Sequence, residues 1–141
     1  MIAYAESSAV LAWLLGEPRG GDVQRALSSA THVVTSTLTR LECRRGIARR
    51  ELQGRVTRHD VERALDVFAR ASAHWTFIDV APEVLDRASE PFPVEPVRSL
   101  DAIHLATVLV VRPAAPAIEI IALDERVRTN AVRLGVPVLP A

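Results

Sequence analysis

Arg98-Ser-Leu-Asp-Ala-Ile-His-Leu-Ala-Thr-Val-Leu-Val-Val111 reads as a helix that is apolar nearly all round. Such a helix belongs in a domain interior, covered on most sides. It nevertheless carries Asp101 in its first turn and His104 one turn later. With Ser99 as N-cap, Asp101 falls at the second helical position, where the helix dipole favours the ionised carboxylate. An acid there is either a capping acid or one member of a site. The choice turns on whether other acids converge on it.

Working outward, strands and helices alternate. Residues 1–5 form a short apolar strand that Glu6-Ser-Ser8 interrupts before a helix over 9–16, with Ser7 or Ser8 as its cap. A second helix spans 22–29. A β-branched run at 32–35 is the second strand, and Ser36 or Thr37 caps a helix over 38–53 whose apolar face is marked by Leu38, Leu41 and Ile47. Thr57 and Asp60 have capping-box spacing for a helix reaching residue 72. A third strand at 74–80 and a short helix opened by Pro82 lead through a proline-rich loop into the central helix. Beyond it, 118–123 is an interior strand and Asp124 ends it. A helix over 125–134 stops at Gly135, and 136–139, with its prolines, is an edge strand. This alternation predicts a parallel sheet covered by helices on both faces, in a single domain over 1–141.

In that architecture four acids reach one rim. Glu6 and Asp124 leave the carboxyl ends of the first and fourth strands, the edge where open parallel sheets bind ligands. Glu42 lies about one turn into the helix after the second strand, near its buried stripe, where it needs an Arg, a hydrogen-bond network or a metal. Arg45 and Arg49 are the local candidates for pairing. Asp101 opens the buried helix. Carboxylates so gathered repel one another, and a hard cation such as Mg²⁺ or Mn²⁺ relieves the conflict. Such a site activates water and stabilises attack on a phosphodiester. Ser7, Ser8, Ser36 and Thr39 stand beside these acids, either as caps or to orient waters or phosphate. His104 and His74 read as packed core histidines.

Bulk composition excludes several classes. The 141 residues carry no formal net charge, so no overall field recruits nucleic acid or membrane. All 17 basic residues are arginine, which disfavours a phospho-receiver domain, normally built around a Lys. Residues 40–70 hold nine arginines against five acids, and 79–101 hold six acids against two arginines. The basic block points to RNA or an acidic partner, or is simply two solvated helix faces. Cys43 stands alone, which fits a reducing cytosol and leaves no zinc-ligand spacing. There is no glycine-rich phosphate loop, no nucleophile-elbow serine, no signal peptide and no run of transmembrane length.

Four segments now carry a resemblance. Tyr4-Ala-Glu-Ser-Ser-Ala-Val-Leu-Ala-Trp-Leu-Leu-Gly-Glu-Pro18, Ser36-Thr-Leu-Thr-Arg-Leu-Glu42, Leu100-Asp-Ala-Ile-His-Leu-Ala106 and Leu123-Asp-Glu-Arg126 resemble, in order, the four motifs of PIN-domain proteins. In particular they look like VapC toxins of VapBC toxin–antitoxin pairs. The resemblance implies a three-layer α/β/α fold with a five-stranded parallel sheet. It implies an Mg²⁺- or Mn²⁺-dependent endoribonuclease acting on tRNA or rRNA in the cytoplasm, and a VapB-like antitoxin that blocks the site. Carried across, the catalytic and metal-binding acids are Glu6, Glu42, Asp101 and Asp124. The family usually has Asp at the first position; here the longer Glu6 stands there. A homodimer is expected, with the apolar faces around Trp13 and Leu14 and the arginine-rich helices of 40–70 as candidate partner surfaces. The rival reading is a PIN-like module that binds RNA or protein without cleaving.

Overall fold

The computed structural model describes residues 1–141. Its elements run β1 (Ile2–Ala5), α1 (Ser7–Leu14), α2 (Gly20–Ser29), β2 (His32–Ser36), α3 (Thr37–Leu52), α4 (Arg58–Ser72), β3 (Thr76–Ile78), α5 (Pro82–Ala88), α6 (Ser99–Val111), β4 (Glu119–Ile121), α7 (Glu125–Arg133) and β5 (Val138–Leu139). All strand pairs are parallel, in the order β3-β2-β1-β4-β5. The expected five-stranded sheet is present, with the first, second and fourth strands adjacent. Chain direction across the sheet reverses at β1, so β1 and β4 flank the switch point whose carboxyl-end crevice receives ligands in such sheets.

Alternation along the strands builds the three layers. Tyr4, Val34 and Ile120 enter one core with Leu105 and Val108 of α6 and Val127 of α7. Their strand neighbours Ala5 and Val33 enter the opposite core with Val10, Leu14, Ile47 and Phe68, while Ala3 and Ile121 pack on Ala9 and Val23. Each fully buried Ile, Leu or Val contributes about 1.5–3 kcal/mol. At the α1–α3 contact a Cβ on Gly46 would lie 2.8 Å from Leu11 Cδ1. The missing side chain lets α3 press on α1, and that brings Glu42 towards the start of α1.

Several helix starts follow the sequence reading. Ser36 Oγ accepts from Leu38 N–H at 3.1 Å, and Thr57 with Asp60 forms a full capping box. Gly135 closes α7 with φ +75°. Others differ. Arg98, not Ser99, is the N-cap of α6; Ser99 is the first helical residue and Asp101 the third. Likewise Glu6 is the N-cap of α1, so Ser7 and Ser8 lie in its first turn and do not cap it. Leu41 is 55% exposed, because the buried stripe of α3 runs through Thr39, Cys43, Gly46 and Ile47. Of Trp13 and Leu14, Leu14 is buried, and Trp13 packs half-buried on Trp75. His74 is exposed beyond the end of α4, not packed in the core.

Candidate active site

Glu6, Glu42, Asp101 and Asp124 line one cleft of about 620 Å³, together with Ser7, Ser8, Leu11, Leu38, Leu41, Arg45, Gly46, Arg49, Arg50, Arg98 and Leu100. The fold explains the meeting. Glu6 follows β1 and Asp124 follows β4, its hydrogen-bonded neighbour. Ser8 fastens the two: its Oγ accepts the backbone N–H groups of Leu123 and Asp124, both at 3.1 Å, and donates to Glu6 Oε2.

The inner half of the cleft is the pair of glutamates gathered around the buried His104. Glu6 is 2% exposed. The Ser7 hydroxyl lies 2.9 Å from both Glu6 Oε1 and Glu42 Oε1. With one proton it donates to one of them at a time. His104, which has no exposed surface, places Nε2 2.5 Å from Glu42 Oε1 and Nδ1 2.7 Å from the hydroxyl of Tyr4, also fully buried. A continuous polar chain thus runs from β1 through α6 to α3. No buried polar side-chain atom of the cluster lacks a partner.

Burial raises the Glu6 carboxyl above its ordinary range, against the opposing pull of His104 and the two serine hydroxyls. Burial works the same way on Glu42, but the His104 hydrogen bond and charge, with Ser7 and Arg98, outweigh it and hold Glu42 below its ordinary value. Burial alone would lower His104. The Glu42 hydrogen bond and the charges of Glu6, Glu42 and Asp101 reverse that and raise it.

The outer half is the pair of aspartates held by Arg98. Asp101 is 7% exposed and accepts from Arg98 Nε at 2.9 Å. Asp124 caps α7: its Oδ1 accepts from the N–H groups of Arg126 and Val127, at 3.0 and 3.1 Å, and its Oδ2 takes Arg98 Nη2 at 3.3 Å. Beyond Glu42, α3 adds Arg45, Arg49 and Arg50 to the lining. Arg50 is committed to Glu17, at 3.0 and 3.2 Å; Arg45 and Arg49 are exposed.

The donor chemistry suits a hard cation. Four carboxylates share the cleft, and only Arg98 and His104 are in contact with them as counter-charges. As the side chains are tied here, no three of them stand together at metal-ligand spacing. The outer carboxylates are held by Arg98, and the inner ones by the serines and His104.

The four acids singled out from the sequence thus line one cleft, and Ser7 and Ser8 bind them together. Ser36 and Thr39 do not reach it. Ser36 caps α3, and Thr39 accepts from Thr35 Oγ1 at 2.8 Å in the interior. Glu42 pairs with His104, not with Arg45 or Arg49. The reading of His104 as a plain core histidine missed this, although its position three residues after Asp101 placed both on one helix face. Tyr4 and Arg98 were also missed as site residues.

A five-stranded parallel sheet in this order, with four acids at the carboxyl-end crevice, is the architecture of a PIN domain. The family model of the PIN domain matches residues 3–131, and the chain belongs to that family. Within it the chain is of the VapC type. Ribonuclease VapC46 of Mycobacterium tuberculosis is 32% identical over 136 residues, spanning 96% of this chain and 95% of that protein. Two solved structures share the fold. The Mycobacterium tuberculosis VapC20 structure, a sarcin–ricin loop cleaving toxin, superimposes with TM-score 0.66 at 19% identity over 90% of this chain and 93% of its own. VapBC2 from Rickettsia felis, bound to a DNA fragment from their promoter, gives TM-score 0.63 at 10% identity over 98% and 97%.

Proposed function

We propose that this chain is a divalent-metal-dependent endoribonuclease, the toxin of a type II toxin–antitoxin pair. It would cleave phosphodiester bonds of tRNA or rRNA to stop translation, in the cytoplasm, until a VapB-like antitoxin neutralises it. The observation that carries this reading is one cleft lined by four carboxylates, with Arg45 and Arg49 following Glu42 along α3. The VapC-type relative, itself named a ribonuclease, supports it.

Glu6, Asp101, Asp124 and Glu42 are the residues that would hold Mg²⁺ or Mn²⁺. When bound, such a cation makes water more acidic and offsets charge on phosphate oxygens. The protein's own groups do the positioning. Ser7 and Ser8 fix the Glu6 carboxylate, and His104 fixes Glu42. Arg45 and Arg49, one and two turns beyond Glu42 on α3, attract the RNA backbone and hold it over the acids. Leu41 and Leu100, 55% and 47% exposed, form apolar lips. They suit an antitoxin segment that seats apolar side chains there and directs a cation at the acids.

The rival, a binding module without cleavage, draws on the lack of a ready-made ligand triad and on Glu6 in place of Asp. The two readings separate when the purified chain is incubated with tRNA and rRNA. The nuclease cleaves with Mg²⁺ or Mn²⁺ and stops with EDTA, whereas the module only binds. Co-expression with an adjacent short antitoxin gene should yield a co-purifying, inactive complex. Separate purification with toxicity intact would break the pairing. Sedimentation of the free chain tests the homodimer.

A further inference from the structure

Asp101 and Asp124 come from different elements, yet one guanidinium spans them. Arg98 Nε donates to Asp101 Oδ2 at 2.9 Å, and Nη2 donates to Asp124 Oδ2 at 3.3 Å. No other basic side chain pairs with either acid. The second oxygen of Asp124 is spent on capping α7, so Arg98 holds the oxygen of Asp124 that remains for any other ligand. Arg98 itself is 70% exposed at the head of α6. Nothing buries it in place, and its long side chain has water to swing into.

We infer that Arg98 is a built-in competitor for the divalent cation, which balances Asp101 and Asp124 in the metal-free protein and has to release them before a metal binds. This rests on the metal-dependent reading above. The physical ground is that the guanidinium and the cation need the same oxygens. Two positive charges a few ångströms apart on shared carboxylates repel strongly, even near a protein surface. Exposed ion pairs are weak, so the competition sets metal affinity by a modest factor and does not forbid binding. Once released, the guanidinium remains beside the acids with its five donors free, placed to meet a phosphate that arrives with the substrate.

The test uses Mn²⁺ alone, titrated calorimetrically into the full-length chain at low ionic strength. The proteins are wild type, Arg98→Gln, Arg98→Lys and Asp101→Asn. Arg98→Gln should bind Mn²⁺ about three- to tenfold more tightly than wild type. The advantage should shrink as salt screens the exposed pair. Arg98→Lys should fall between the two, because an ammonium cannot fork across two carboxylates. If Asp101→Asn loses Mn²⁺ binding while Arg98→Gln binds no more tightly than wild type, the metal site stands and the competitor does not. If Arg98→Gln binds more weakly, Arg98 organises the ligands and the inference is overturned. If neither wild type nor Arg98→Gln binds Mn²⁺ saturably, the metal reading falls and takes this one with it.

Discussion

The two halves of the acid cleft solve the same electrostatic problem differently. Glu6 and Glu42 form the inner pair, tied by Ser7, Ser8 and His104 in a network with no orphaned buried atom. Asp101 and Asp124 are balanced by one exposed arginine, although Asp101 is itself buried. The inner pair is therefore part of the fold: its partners come from β1, α1 and α6, and removing one leaves another buried and unpaired. The outer pair is held by a group that can leave. Stability and chemistry should accordingly separate along this line, with inner substitutions damaging both and Asp101 substitutions damaging chemistry with little effect on stability.

The largest effect on folding is expected at His104. His104→Ala strips both the Tyr4 hydroxyl and the Glu42 carboxylate of a buried partner, at a cost of about 3 kcal/mol. In a domain of this size that lowers the melting temperature by roughly 6–12 °C. His104→Gln, which keeps one donor, should lose less. An unchanged melting temperature in His104→Ala would show that the inner network holds nothing together.

Next is Glu6. Glu6→Gln keeps shape and removes charge, and should slow cleavage at least about tenfold, roughly 1.4 kcal/mol in transition-state stabilisation. Glu6→Asp should be milder, because a water can bridge the shorter reach to a hydrated cation. Cleavage by Glu6→Gln at the wild-type rate at every Mn²⁺ concentration would reduce Glu6 to a helix-start acid.

A smaller effect is pH dependence in the metal-free protein. His104 has a raised pKa, so its contribution to stability is complete below its ordinary value of 6.5 and is lost as pH rises through the raised value. Glu6, raised from 4.5, acts in the same direction, because its ionised form opposes folding. Glu42 is lowered, so its contribution is present above 4.5 and fades only in acid. The melting temperature should therefore fall as pH rises above about 6.5, and His104→Gln should flatten that slope. A melting temperature that rises across this range would contradict the assigned network.

The order of elements and the rim shared by four acids were legible because they rest on short-range rules. Alternating strands and helices force a parallel sheet, and acids just past strand ends must sit at its carboxyl edge. What escaped depends on where a side chain turns in three dimensions. His104 lies on an apolar helix, and its pattern alone could not say that Tyr4 and Glu42 would take its two nitrogens. Leu41 fitted an apolar stripe by spacing, but the face of α3 that packs on α1 is the one carrying Thr39, Cys43, Gly46 and Ile47. Ser8 reads as a cap in one dimension. Only the neighbouring end of β4 gives its hydroxyl two backbone donors. Arg98 is one arginine among 17, and nothing local marks it as the bridge between Asp101 and Asp124.

The most direct test of the central claim is RNA cleavage measured against Mn²⁺ concentration for wild type and Asp101→Asn, with melting temperatures taken on the same samples. The four-carboxylate site predicts a wild-type rate that rises with Mn²⁺ to a plateau and vanishes in EDTA. It predicts that Asp101→Asn loses at least about 100-fold in kcat/KM, roughly 2.7 kcal/mol, while its melting temperature stays within a few degrees of wild type. Cleavage by Asp101→Asn at the wild-type rate, or RNA bound but left intact by wild type at every metal concentration, would contradict it.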